Sequence, residues 1–117
     1  MNTHSIQDEK IIYNSENHLE LELFVPAQSD FFDGHFPQFK LLPGVAQFEI
    51  VTRMAQKYFN KGRLIKVIRR IKFAAPILPD SKICLIIDYN DSKNSFSFSI
   101  KDAVQEEKLY SSGSFAI

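Results

Sequence analysis

The chain has 117 residues, a length at which a single hydrophobic core is expected, so we predict one domain over residues 1–117. Its 14 Lys and Arg residues balance its 14 Asp and Glu residues, and the net charge therefore gives no reason to expect nucleic acid or an anionic membrane as a partner. Neither an apolar stretch of the ~20 residues that a membrane span requires nor a secretion signal is present, so a cytoplasmic protein is expected.

Two strands are predicted before Pro26. The apolar run KIIY indicates a first short strand, and residues 18–25, HLELELFV, alternate apolar with polar residues, as a half-buried strand does. His18 begins the second strand and His4 lies near the N-terminus, and both are expected to be solvated. Residues 28–42, QSDFFDGHFPQFKLL, show no sustained period and are expected to form an ordered loop.

A long helix is predicted over about residues 43–60, because apolar residues then recur at spacings of three and four. Pro43 suits the first turn of a helix, and Gly62 follows its end. The apolar side covers about half of the circumference, which predicts that the helix is largely enclosed. The apolar residues are Val45, Phe48, Val51, Met54, Ala55, Tyr58 and Phe59.

Four segments after the helix are rich in β-branched and aromatic residues, and each is predicted to be a strand. They cover residues 64–73, 81–89, 95–100 and 107–117. Short connections favour pairing in sequence order, so the four strands are predicted to form a meander. The expected fold class is α+β, with an antiparallel sheet and a single helix against one face.

His35 and Glu49 are the histidine and carboxylate pair that best suits acid and base chemistry. His35 lies in GHFP, where its neighbours constrain the backbone, and Glu49 lies in the second helical turn at the edge of the apolar side, where a carboxylate can face a pocket. Each residue also has a simpler explanation. Glu49 is placed to form an i,i+4 ion pair with Arg53, which is the favoured interpretation of Glu49 alone, and His35 can be a hydrogen-bonded loop residue.

The predicted helix start at Pro43-Gly44-Val45 adds a third chemical element. A helix N-terminus presents free backbone N–H groups that can hold an oxyanion, although Pro-Gly also starts helices that have no such role. Gln47 falls on the apolar side of the helix, where its amide requires partners. Either a structural network or a pocket wall would supply them.

Together, GHFP and LLPGVAQFE resemble the central motif of the hotdog-fold β-hydroxyacyl-acyl carrier protein dehydratases, the FabA/FabZ-like family. The spacing of 14 residues between histidine and carboxylate is the specific part of this resemblance. Downstream, IKFAAPILPD is similar to the family's strand and Pro-rich turn. A glutamine at position 47 of the motif resembles the sequence of a subgroup associated with aryl polyene synthesis. The resemblance implies a hotdog fold, in which the sheet wraps around one long central helix. The matching motif residues are His35, Phe36, Pro37, Pro43, Gly44 and Glu49.

The activity implied by this resemblance is that of a 3-hydroxyacyl-[acyl carrier protein] dehydratase, which forms a trans-2-enoyl thioester in fatty-acid or polyene/polyketide-type synthesis. His35 would take the α-proton, Glu49 would assist departure of the hydroxyl, and the N–H of Gly44 or Val45 would hold the thioester oxygen. No metal and no organic cofactor is implied. The remaining substrate-binding residues would be Phe36, Pro37 and Phe39.

The resemblance also implies partners. The acyl substrate would be bound to acyl carrier protein or to CoA, and the two residues of one site would come from different protomers. A homodimer or a higher even oligomer is therefore expected, with a hetero-oligomer that includes another hotdog protein as an alternative. Two other functions stay open, namely thioester hydrolysis and a non-catalytic hotdog subunit that binds acyl carrier or an active partner.

Some positions depart from the family pattern. The positive charge of Arg53, where many members carry glutamine, favours an ionised Glu49 and so opposes a role for Glu49 as a general acid. Two alanines replace the basic pair that often follows the phenylalanine, which bears on carrier docking. Three cations of the preceding strand could substitute, although three cations on a strand more often form a solvated face. The departures are Gln38, Lys40, Arg53, Ala74 and Ala75, and the three cations are Arg69, Arg70 and Lys72.

Overall fold

The computed structural model describes residues 7–26, 44–59, 67–78, 80–105 and 107–117. Within these ranges the chain forms six strands and one helix. In chain order they are β1 (Gln7–Asn14), β2 (His18–Val25), α1 (Gly44–Phe59), β3 (Val67–Phe73), β4 (Ser81–Asn90), β5 (Ser95–Asp102) and β6 (Leu109–Ala116). The predicted helix and the second predicted strand agree closely with α1 and β2. In the part of the chain that is described, no helix combines the length and the apolar character needed to cross a membrane.

The six strands form one antiparallel sheet in the order β1-β2-β4-β5-β6-β3. α1 packs against one face of this sheet, where the ring of Phe48 contacts those of Phe98 and Phe115 at centroid distances of 6.0 and 5.3 Å. We call this face the inner face and the opposite face the outer face. The predicted α+β hotdog architecture is confirmed.

The predicted meander is wrong for β3. Three of the four late strands, β4, β5 and β6, do pair in sequence order, but β3 pairs with β6 at the edge of the sheet, and β4 pairs with β2 instead. The physical reason is that β4 has an apolar face to bury in the middle of the sheet and β3 does not. β4 alternates buried and more exposed residues as β2 does, whereas β3 is exposed along almost its whole length and is suited to an edge.

The core lies between the inner face and the apolar side of α1. Every second residue of β2 is fully buried, from Leu19 to Val25, and the intervening Glu20 and Glu22 lie on the outer face. α1 contributes its apolar side to the same core and leaves Gln56 and Lys57 exposed. The buried apolar residues of the helix are Ile50, Val51, Met54 and Ala55.

Candidate active site

The first turn of α1 begins at Gly44. The N–H groups of Gly44 and Val45 are therefore among the four that an α-helix leaves without intrahelical acceptors, at the positive end of the helix dipole. No acidic residue lies in this turn. Because no carboxylate of the first turn competes for these N–H groups, they can hold an anionic or strongly polarised oxygen.

Glu49 follows one turn later, and its side chain is 44% exposed. Nη2 of Arg53 donates a hydrogen bond to Oε2 of Glu49 at 3.5 Å, which confirms the predicted i,i+4 ion pair. Oγ1 of Thr52 donates to the backbone carbonyl of Glu49 at 3.0 Å. The carboxylate thus lies beside the start of α1 and is accessible to a ligand or to a second chain.

Gln47 ties the first turn of α1 to the rest of the fold. The residue is only 2% exposed, and its Nε2 donates to the carbonyl of Ala75 at 3.4 Å. The N–H groups of Ala74 and Ala75 in turn donate to the carbonyl of Tyr110 on β6, at 2.9 and 3.2 Å. Of the two predicted alternatives for this amide, the structural network is therefore observed at Nε2, and it fixes the position of the helix start.

The loop half of the predicted site lies outside the described residues. This holds for four predicted site residues and for two of the motif departures. The proximity of His35 to Glu49 therefore stays a prediction. The residues concerned are His35, Phe36, Pro37 and Phe39 among the site residues, and Gln38 and Lys40 among the departures.

The end of α1 carries a titratable cluster that sequence reasoning missed. Nζ of Lys57 donates to Oε2 of Glu9 at 2.7 Å, and the hydroxyl of Tyr58 donates to the same carboxylate. Burial opposes ionisation of Glu9, but the hydrogen bonds from Lys57 and Tyr58 lower its pKa overall, while burial and the Glu9 contact raise the pKa of Tyr58 to about 12. Both groups keep one protonation state near pH 7, so the cluster fastens α1 to β1 and does not suit proton transfer.

The side chain of His18 is 32% exposed, but it also forms two contacts that were not predicted. Its Nδ1 bonds to Oδ1 of Asp88 and its Nε2 lies 3.2 Å from Oε1 of Glu20, so it bridges two carboxylates on the outer face. The contact with Asp88, and then that with Glu20, raises the pKa of His18 against the opposing effect of burial. Glu20 shares a strand face with His18, which the sequence indicates, whereas Asp88 comes beside it only through the pairing of β2 with β4.

A groove of ≈ 1030 Å³ lies elsewhere, next to the connection between β4 and β5. Its lining includes Arg69, Asp88, Ser97 and Ser114 but no residue of α1. The groove is therefore separate from the helix start, and the location of the active site at the first two turns of α1 stays a prediction.

Comparison with known proteins gives a family match over most of the chain. The model of the family described as "ApeI-like: ApeI dehydratase" matches residues 11–114. The 3-hydroxyacyl-[acyl-carrier-protein] dehydratase FabZ of Streptococcus sanguinis (strain SK36) is 26% identical over 118 residues, which cover 93% of this chain and 84% of the relative.

Two solved structures are similar over nearly the full chain. The dehydratase heterocomplex ApeI:P from Xenorhabdus doucetiae superposes with a TM-score of 0.79 at 26% identity, covering 94% of this chain and 97% of that one. An uncharacterised protein from Erwinia carotovora subsp. atroseptica superposes with a TM-score of 0.76 at 33% identity, covering 96% of this chain and 90% of that one.

Proposed function

The chain belongs to the ApeI-like dehydratase family, and on this basis we propose that it eliminates water from a 3-hydroxyacyl thioester to give the trans-2-enoyl thioester. The resemblance drawn from the motif, to hotdog dehydratases including the aryl-polyene subgroup, is confirmed at the family level. The substrate and the residues of the site are our proposal. Its main support is the family match over residues 11–114, together with a helix that starts at Gly44 and carries Glu49 one turn later.

The proposed elimination uses two side chains and a helix end. The imidazole of His35 takes a proton from C2 of the acyl chain, the electrons of that C–H bond form the C2=C3 double bond, and the C3–O bond breaks. The carboxyl group of Glu49, which must part from Arg53 and be protonated when the substrate binds, gives its proton to the departing hydroxyl, which leaves as water. The N–H of Gly44 or Val45 donates to the thioester oxygen, on which negative charge develops. Solvent then carries the proton from His35 back to Glu49, and no cofactor enters the balance.

Phe36, Pro37 and Phe39 would contact the acyl chain next to this centre. Their rings and methylene groups suit a hydrocarbon chain, whereas the polar thioester end requires the helix N–H groups. The name of the FabZ relative specifies an acyl carrier protein as the bearer of the substrate. We extend this to the present chain and propose an acyl group carried by acyl carrier protein, with CoA as the second option.

The edge strand β3 supports a proposed dimer. β3 has a strand neighbour on one side only, within the described part of the sheet. Its free edge exposes Val67, Ile68 and Phe73, each about half exposed. An apolar edge of this kind is a template for pairing with a second chain. We propose that two protomers pair through β3, so that one protomer can complete the site of the other.

The test of the proposed reaction is product analysis with purified protein and 3-hydroxyacyl thioesters of several chain lengths, on carrier protein and on CoA. Mass spectrometry follows loss of water from the acyl group, and a thiol reagent follows release of the carrier. We expect enoyl thioester without free thiol. Free thiol without an enoyl thioester would contradict the proposal and favour the hydrolytic alternative.

A second candidate function is that of a non-catalytic subunit. The observation that favours it is the similarity to a dehydratase that was solved as a heterocomplex. In that case the purified chain alone would form no enoyl thioester at any chain length. Activity would appear only after a second hotdog protein that copurifies with the chain from its own host is added, and it would survive His35→Ala in this chain.

A further inference from the structure

The outer face of the sheet carries a block of four serines. Ser97 on β5 pairs with Ser114 on β6, and Ser99 pairs with Ser112 in the same register. Ser97 is exposed and the other three are half-buried. We call these four residues the serine block. No other element of the described chain packs over it, because α1 occupies the inner face.

Opposite charges flank the serine block along the first of two rows that cross the strands. In this row β3 places Arg70 beside Ser114, and β4 places Asp88 beside Ser97. A cation therefore stands at one end of the row and a carboxylate at the other, with two serines between them.

The second row repeats this arrangement. Lys72 of β3 lies beside Ser112, and on the other side Ser99 is followed by Ile86 of β4 and then by Glu20 of β2. The outer face thus has a positive side along β3 and a negative side along β4 and β2. Both rows have the same polarity across the serine block, while Lys82 on β4 and Lys101 on β5 add cations farther along the face.

The positive side lacks counter-charges within the described chain. Arg70 and Lys72 are exposed, and neither forms an ion pair with any described carboxylate. Asp88 contacts His18, but its side chain is still 53% exposed and can be approached from outside. Two cations that face solvent beside a patch of small hydroxyls suit a partner whose carboxylates lie at matching positions.

A second copy of the chain has a carboxylate at the position that matches Arg70. Arg70 and Asp88 are separated by three strand spacings, or about 14 Å, one on each side of the centre of the serine block. Consider a two-fold axis that runs parallel to the strands, midway between the two stacked sheets and above the line between β5 and β6. This axis places Arg70 over the partner's Asp88. The same rotation places Asp88 under the partner's Arg70, so the contact is self-complementary.

The serine block also suits close packing of two sheets. Serine side chains are small enough to let sheets approach to the usual separation of about 10 Å or less. Each hydroxyl can donate and accept across the contact. The groove of ≈ 1030 Å³ that includes Ser97 and Ser114 leaves room for bridging waters of the kind found in polar interfaces.

We propose that the outer face is an interaction surface for a second copy of this chain, packed sheet against sheet about a two-fold axis over the serine block. This contact is independent of the proposed activity. It uses side chains of the outer face, whereas pairing through the β3 edge uses backbone groups, so both contacts together build an assembly larger than a dimer.

The test uses two charge-reversal variants. Copies of one variant should repel each other, and copies of the two different variants should attract each other. In Arg70→Glu a glutamate faces the partner's Asp88, and in Asp88→Lys a lysine faces the partner's Arg70. We expect light scattering to give about half the wild-type mass for each variant alone. An equimolar mixture recreates one cation and one carboxylate at both contacts of each pair, and we expect it to recover the wild-type mass. Lys108→Glu, the same charge change at an exposed position beyond the block, should leave the mass unchanged.

Three results would overturn the proposal. In the first, neither reversal changes the mass. In the second, the mixture fails to recover it. In the third, Arg70→Glu lowers the mass and Asp88→Lys does not, which would mean that Arg70 contacts a group other than the partner's Asp88. Circular dichroism verifies the fold of each variant. If Asp88→Lys does not fold because it loses the His18 contact, Asp88→Asn, which keeps an oxygen acceptor for His18, takes its place. Mixed with Arg70→Glu it removes the repulsion at one contact and keeps the ion pair at the other, so the mixture should exceed the mass of Arg70→Glu alone, and an equal mass would overturn the proposal.

Discussion

A histidine between two carboxylates is a charged cluster whose strength depends on pH. His18 bonds to Asp88 and Glu20 on the outer face, and these contacts raise its pKa above the ordinary value of 6.5. A raised pKa means that protons bind more tightly to the folded than to the unfolded chain. The bridge therefore stabilises the fold in full below pH 6.5, and this contribution is lost as the pH rises through the folded-state pKa.

The corresponding prediction concerns His18→Gln, which can hydrogen-bond but cannot become charged. The free energy of unfolding should differ most between wild type and variant near pH 6, where His18 is charged. The difference should shrink toward pH 9. Urea unfolding at several pH values measures it, with His4→Gln, at a histidine predicted to be solvated, as the control. A difference that stays constant or grows with pH would contradict the bridge.

At the candidate site, some features of single residues could be predicted from the sequence and others could not. The start of α1, the ion pair of Glu49 with Arg53 and the burial of Gln47 all follow from helical periodicity, and all three are observed. The partner of Gln47 could not be predicted, because Ala75 is brought to the helix only by the tertiary fold. The bridge at His18 was missed for the same reason, since Asp88 is 70 residues away in sequence.

At the scale of elements, all six described strands and the helix follow from local pattern, but the position of β3 in the sheet does not. Pairing in sequence order is a local rule, but β3 comes directly after α1 and has no clean alternation of apolar and polar residues. β4 does alternate and so takes the buried position beside β2. The three cations of β3 were the available signal, because charged residues are typical of edge strands.

The pairing of β3 with β6 depends on Gly113. A Cβ at this position would lie 2.3 Å from the carbonyl oxygen of Arg70 and 3.1 Å from Cα of Ile71, and both are backbone atoms that cannot move without shifting β3. We predict that Gly113→Ala destabilises the fold by about 1–3 kcal/mol, the usual cost of overpacking. Denaturant unfolding measures this. Ser112→Ala, on the outer face of the same strand, should change stability by about 0.5 kcal/mol or less, and equal effects of the two substitutions would show that the approach is not tight.

At the scale of the whole molecule, the sheet has two edges, and only one is proposed to pair with another protomer. Ile68 on β3 and Ile11 on β1 are matched probes, since they are 52% and 50% exposed. The ladder between β1 and β2 has two register shifts, which blunt the β1 edge.

We predict that Ile68→Lys lowers the solution mass by breaking the protomer pair, because a lysine on an edge strand disfavours pairing. Ile11→Lys should leave the mass unchanged. Light scattering at equal protein concentrations compares the two variants with wild type, and circular dichroism verifies that they are folded. The proposed β3 pairing would be wrong if Ile11→Lys lowered the mass and Ile68→Lys did not.

The central claim is that His35 and Glu49 together dehydrate a 3-hydroxyacyl thioester, and enoyl-thioester formation by wild type, His35→Ala and Glu49→Gln tests it most directly. Glu16→Gln, an exposed carboxylate in the β1–β2 turn, is the matched control. We expect turnover by wild type and Glu16→Gln, and a loss of about 100-fold or more in each site variant, because a general acid or base contributes roughly 10²–10⁴-fold. Turnover that survives in both site variants at matched folding would contradict the claim, as would a wild type that forms no enoyl thioester at any chain length.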